Sequence, residues 1–244
     1  PPSGVTVARG PTLDGIGTYL EGVFEESATP VADLAGAETH PFLRNRCYGE
    51  TPEQVVPLAR AVAGAQLAAG VLPVVKHMPG HGRATQDSHQ SLPVVAVDRD
   101  TLTASDFAPF RALADLPMAM TAHIVFTAID PDHPATQSPA VIEVIRHEIG
   151  FAGLLLTDDL NMQALKGDLD SRTSASMAAG CDIALHCKGD LAEMVAVAGA
   201  AGAMTDATRK RAKAALALRH APKSFDIAQL EAEFSALLGE GAHG

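Results

Sequence analysis

Residues 151–160 read FAGLLLTDDL, an apolar run that breaks abruptly into Thr157, Asp158 and Asp159. A short segment that is apolar without alternation suits a strand covered on both faces, as in a parallel sheet packed between helices. Its polar end then marks the point where the chain leaves the sheet, and Asp158 sits there. Just upstream, SPAVIEVIRHEIG carries Ser138 as an N-cap, Pro139 at the first helical position and Gly150 where a helix should stop. A helix therefore delivers the chain into this strand.

The same unit recurs on both sides. TPEQVVPLARAVAGAQLAAG opens with Thr51 as N-cap, Pro52 and Glu53 in the first turn, closes on Gly70, and runs into LPVVKH. DRDTLTASDFAPFRALAD reads as helix with a break at Pro109 and feeds LPMAMTAHIV; SRTSASMAAG precedes CDIALHC. The Ala-rich segments 190–203 and 205–219, and then DIAQLEAEFSALLGE, read as further helices. Repeated helix–strand units imply right-handed crossovers, which a (β/α) barrel and an open doubly wound sheet both satisfy.

The strand ends favour the barrel. Four runs finish in polar residues: Lys76 and His77; Thr121 and His123; Thr157, Asp158 and Asp159; His186 and Lys188. Barrel enzymes gather their chemistry from the carboxyl ends of several strands. No GxGxxG or GxxxxGK[ST] follows a strand, which removes the usual sign of a nucleotide-binding open sheet. The fold expected is α/β, a (β/α)8 TIM-type barrel in a single domain over residues 1–244. The first 40 residues offer one candidate strand, ATPVADL, so the barrel is expected to be incomplete on its N-terminal side, with residues 1–28 poorly matched.

Composition narrows the function. A net charge of −11 argues against a nucleic-acid surface, and the one basic run, Arg209–Lys213, reads as a solvated helix face. The odd set Cys47, Cys181 and Cys187 has no CxxC spacing, which fits a reducing compartment rather than a disulfide framework. No apolar run is long enough to span a bilayer, and the opening PPSGVTVARG lacks the features of a signal peptide. A cytoplasmic monomer without membrane or nucleic-acid partners is the expectation.

Three of the ten histidines fall in KHMPGHGRATQDSHQSLP, residues 76–93. Two chemistries fit that loop. His77, His81, Asp87 and His89 are adequate metal ligands, although no helical HExxH pair supports them. Alternatively, Asp87 orients and charges His89 as an acid–base dyad, and Gly80 and Gly82 let the loop move. Such a dyad needs a partner across the substrate. Asp158 meets that need, unless it only caps the following helix.

KHMPGHGRATQDSH, followed by Asp158 in GFAGLLLTDDLNM, resembles the family 3 glycoside hydrolases, in particular the cytoplasmic β-N-acetylhexosaminidases of bacterial cell-wall recycling. The similarity runs from TPVADL through HPFLRNRCYG to about residue 220. It implies a retaining hydrolase acting on N-acetylglucosamine-containing muropeptides, a small sugar substrate, with neither cofactor nor metal. Asp158 takes the place of the nucleophile, His89 that of the general acid/base and Asp87 that of its dyad partner. Arg46, Lys76 and His77 take the places of sugar contacts.

His81 and Arg83 are expected to have structural or loop-closing duties. Met78 and Met162 are assigned to packing, and His123 to a supporting role or to the core. The family's early D-x-E-G-G-x-V-x-R segment is not found, so the front of the barrel reads as shortened. Two other readings stay open: a catalytically silent barrel fragment, and a metal-dependent barrel hydrolase built on the His cluster.

Overall fold

The computed structural model describes residues 6–8, 29–221 and 226–241. Its strands are β1 (Thr6–Ala8), β2 (Val74–Met78), β3 (Val94–Val95), β4 (Met118–Thr121), β5 (Val125–Phe126), β6 (Leu154–Asp159) and β7 (Ile183–His186). Its α-helices are α1 (Pro41–Arg44), α2 (Pro52–Ala68), α3 (Arg99–Ala104), α4 (Ala108–Ala112), α5 (Pro139–Glu143), α6 (Leu169–Ala179), α7 (Leu191–Ala201), α8 (Asp206–Ala217) and α9 (Ile227–Gly241).

The helix signals act where the sequence places them. The Gln54 side chain accepts from the Thr51 backbone N–H at the start of α2, reciprocating the cap as a capping box does. Pro109 lies in the first turn of α4, so the helical stretch 98–115 divides between Ala104 and Ala108. Ser138 caps α5, whose last turn widens to a π-turn over Val144–Glu148 before Gly150 leaves with φ +81°.

The main sheet has the order β1-β7-β6-β4-β2. β2, β4, β6 and β7 are parallel to their neighbours, whereas β1 runs antiparallel to β7. On the far side of β2, Val31 forms a parallel bridge to Lys76. Five segments thus lie side by side in chain order, the arrangement of a (β/α)8-type barrel. Among the described residues they form an open arc, and ATPVADL contributes this one bridge rather than a full strand. The remaining pair, β3 and β5, is a separate parallel ribbon.

Apolar faces of β2, β4 and β6 pack against α2, α4 and α5, with Phe107, Phe110 and Phe151 fully buried. Truncating a buried phenylalanine of this kind costs about 3–5 kcal/mol. At the amino ends of β6 and β7 the core holds a buried acid. Asp182 accepts from Arg146 at 2.7 Å, Arg211 at 2.8 Å, Thr208 at 2.8 Å and the Leu155 N–H at 3.0 Å. This corrects the reading of Arg209–Lys213 as a merely solvated face: Arg211 turns inward because a buried carboxylate needs its charge met.

No helix among the described residues is long and apolar enough to cross a membrane. The missing D-x-E-G-G-x-V-x-R segment and the poor match over residues 1–28 concern positions outside the described residues, apart from β1.

Candidate active site

The carboxyl ends of β2 and β6, helix α1 and the loop after β2 enclose one cavity of about 260 Å³. Asp158, His89, Asp87, Arg46, Lys76 and His77 all line it. Residues 112 positions apart in sequence meet there because parallel strands start their loops on the same side of the sheet.

Asp158 lies near the end of β6 and does not cap a helix. Burial works to raise its carboxyl, but the fields of His77, His123 and Lys76 and the Asp159 N–H at 2.8 Å outweigh it and hold the pKa below 3.8. An ionised carboxylate is therefore available at neutral pH. Asp159 also lines the cavity, but its Oδ1 is engaged by the backbone N–H of Asn161 and of Cys187, each at 3.1 Å.

Asp87 and His89 form a pair. The His89 Nδ1 lies 2.8 Å from Asp87 Oδ1, and the same oxygen accepts the His89 backbone N–H at 2.9 Å. Burial pushes the Asp87 carboxyl up, but these bonds and the His89 charge hold it low. Asp87 thus holds the ring through Nδ1 and leaves Nε2 outside this contact. Two backbone bonds, Gln163 N–H to His89 O and Ala164 N–H to Ser88 O, both 3.3 Å, tie this loop to the segment after Asp158. The dyad and the carboxylate are thus mechanically linked.

His77 is positioned by a residue that sequence reasoning missed. Asp33 is fully buried and accepts from His77 Nδ1 at 2.7 Å, from the His77 backbone N–H at 3.2 Å and from the His81 backbone N–H at 2.7 Å. Burial opposes its ionisation, yet His77 and His81 hold its pKa below 3.8. An acid inside the mainly apolar ATPVADL was the available signal, because a buried carboxylate requires a partner.

His81 faces the cavity rather than serving only the loop. Neither of its ring nitrogens has a hydrogen-bond partner among the described residues, though both are buried. Burial, and next the field of His77, lower its pKa to about 4, so the ring is neutral at pH 7. Arg83 does hold the loop, through Asp106 at 2.8 Å and Ser105 at 3.0 Å. Met162 lines the cavity, whereas Met78 belongs to the core.

His123, fully buried, lies beneath Asp158. Its Nε2 donates to the Asp159 carbonyl at 3.0 Å, and its Nδ1 lies 2.8 Å from Thr136 Oγ1. Burial is the largest influence on the ring and lowers its pKa, which fits a neutral histidine anchoring the carboxyl end of β6 at Asp159.

The fourth strand end differs from expectation. His186 is buried against Glu193 at 3.0 Å, and Lys188 also pairs with Glu193, so neither reaches the cavity. Strand alternation explains this: Leu185 and Cys187 face the cavity and the residues between and after them face away.

A second missed residue stands at the rim. The Phe42 ring meets the His89 ring edge-to-face at 4.7 Å, and the Arg46 guanidinium lies over the Phe42 ring at 5.1 Å. As for metal binding, no group of three or more His, Cys, Asp or Glu among the described residues is arranged to hold an ion. His77 and His89 instead belong to separate pairs, with Asp33 and Asp87.

Comparison with known proteins identifies the family. Residues 24–216 match the model of the glycosyl hydrolase family 3 N terminal domain. The chain belongs to glycosyl hydrolase family 3. Within that family it is 44% identical over 166 residues to a beta-hexosaminidase of Alkalilimnicola ehrlichii, an alignment covering 66% of this chain and 47% of the relative. It is 36% identical to a beta-hexosaminidase of Pseudomonas aeruginosa, over 66% of this chain and 49% of that one. The chain thus spans about half the length of the curated family 3 relatives it matches.

Solved structures agree on the fold. A family 3 beta-N-acetylglucosaminidase from Paenibacillus sp. superposes with a TM-score of 0.71 at 30% identity, covering 82% of this chain and 41% of that one. NagZ from Neisseria gonorrhoeae, solved with N-trifluoroacetyl-D-glucosamine, gives 0.59 at 28% identity, over 78% of this chain and 62% of that one.

Proposed function

We propose that this domain acts as a retaining exo-β-N-acetylglucosaminidase, releasing terminal N-acetylglucosamine from peptidoglycan-derived muropeptides in the cytoplasm. The observation that carries the reading is that an ionised Asp158 and an Asp87–His89 dyad line one cavity together with the donors Arg46, Lys76 and His77. Relatives named beta-hexosaminidase and a beta-N-acetylglucosaminidase structure support the sugar specificity. Residues 1–244 are assigned to a single catalytic domain on the same grounds.

The chemistry runs in two displacements. Asp158 attacks the anomeric carbon and forms a glycosyl ester while protonated His89 gives the Nε2 proton to the departing oxygen, which leaves as an alcohol. Now neutral, His89 Nε2 takes a proton from water, the hydroxide attacks the anomeric carbon, and Asp158 departs as carboxylate. Two inversions give net retention. Asp87 stabilises the imidazolium and fixes the tautomer, which lets a histidine do the work that a second carboxyl group does in most retaining glycosidases.

The deciding experiment is hydrolysis of p-nitrophenyl β-N-acetylglucosaminide at neutral pH by wild type, Asp158→Ala and His89→Ala, with the product anomer read by NMR and a chelator arm. The expected result is β-product from wild type, loss of about a thousandfold or more in Asp158→Ala, and indifference to chelator. An α-product, or full activity in Asp158→Ala, would overturn the assignment. Complete loss on chelation would favour a metal-dependent hydrolase.

A further inference from the structure

Resting on the glycosidase reading, we infer that Phe42 is the platform for the leaving group, and that it selects leaving groups built as a pyranose ring over small alkyl groups. Phe42 sits in α1, where its neighbour Leu43 turns into the core but Phe42 itself remains 39% exposed at the cavity rim. Part of its ring is therefore left open at the rim. Two contacts nonetheless hold its ring in place: the His89 ring at 4.7 Å and the Arg46 guanidinium at 5.1 Å.

Position along the substrate follows from the chemistry of His89. The acid/base touches the oxygen that links sugar to leaving group, so a side chain packed on His89 borders the leaving-group side of that oxygen. The sugar side is already supplied with polar groups by Lys76, His77 and Asp158. Phe42 offers the opposite chemistry, a flat apolar surface. One face of a pyranose carries a set of axial C–H groups and is apolar enough to lie on such a ring, and burying that pair of surfaces favours binding. A methyl group is too small to cover it.

Binding to the non-turning-over Asp158→Asn variant separates the two halves of the substrate. Methyl β-N-acetylglucosaminide and a β-linked disaccharide with N-acetylglucosamine at its non-reducing end are titrated calorimetrically into Asp158→Asn, with and without Phe42→Ala. The expected result is disaccharide affinity weakened about tenfold by Phe42→Ala, methyl glycoside affinity changed less than about twofold, and disaccharide affinity retained in Phe42→Tyr.

Equal weakening of both ligands, or no change in either, overturns the inference. Phe42→Leu guards against a folding failure of the alanine variant: it keeps bulk without a flat face, so disaccharide affinity equal to wild type in this variant also overturns it. Failure of Asp158→Asn itself to bind the methyl glycoside would bring down the glycosidase reading as well, and is distinguishable because it does not involve Phe42.

Discussion

Asp33, with none of its surface exposed, accepts both the ring Nδ1–H and the backbone N–H of His77, and so fixes the orientation of a side chain 44 positions away. His77 keeps Nε2 free for the cavity because Nδ1 is committed. The carboxylate is expected to matter for stability and binding together. Asp33→Asn should lower unfolding free energy by about 2–3 kcal/mol, since it weakens the hydrogen bonds that three donors make to a buried carboxylate. It should also raise KM more than it lowers kcat; a denaturant melt and steady-state kinetics check the two halves.

The same residue gives an acid limb to stability. Its folded pKa is below the ordinary 3.8, so its contribution is present in full above that value and drains away as pH falls below it. His81 acts at higher pH. With a folded pKa of about 4 against 6.5 for the free side chain, the unfolded chain binds a proton that the folded one refuses between those values. Stability should therefore fall as pH drops from 6.5 toward 4, by up to about 3 kcal/mol. His81→Asn should flatten that slope in melts taken across the range, and an unchanged slope would refute it.

For the dyad, leaving-group dependence is the sharper probe. Asp87→Asn is expected to lower kcat by about a hundredfold with a sugar leaving group, which needs protonation. The loss should be several-fold smaller with p-nitrophenolate, which leaves readily on its own. A loss independent of the leaving group would show that Asp87 supports the loop rather than the proton transfer. The measurement is a rate series over aryl glycosides of graded acidity.

At the opposite end of the sheet, Asp182→Asn should separate stability from function. It removes charge from a buried carboxylate held by Arg146 and Arg211, at an expected cost of about 3 kcal/mol. The cavity is built from other residues, so KM at a temperature where the variant is folded should equal that of wild type. Thermal unfolding and kinetics on one preparation provide the check.

Much of the fold was legible because its signals are local. Ser138, Pro139 and Gly150 bound a helix by their own backbone preferences, and an apolar run ending in Thr157 and Asp158 declares a covered strand and its open end within six residues. Asp87 and His89 were legible for the same reason, being two positions apart. Asp33, Phe42 and Arg211 were not, because what defines each is a partner tens of residues away: His77, His89 and Asp182 respectively. His186 was misplaced by counting polar residues at a strand end without following the alternation through Leu185 and Cys187. The register, once applied, sends it to the opposite face.

Thr39 Oγ1 donates to the Gly82 carbonyl, and a methyl group placed on Gly82 would lie 1.8 Å from the carbonyl oxygen of Leu34. Main chain against main chain at that distance leaves no side chain to step aside. Gly82 therefore works as a gauge block between the Asp33 segment and the histidine loop. Any other residue there would wedge the two apart, and His81, whose backbone N–H must reach Asp33, would be the first to lose its place. One hydrogen atom in the position of a side chain sets the tolerance to which the rest of the cavity is assembled.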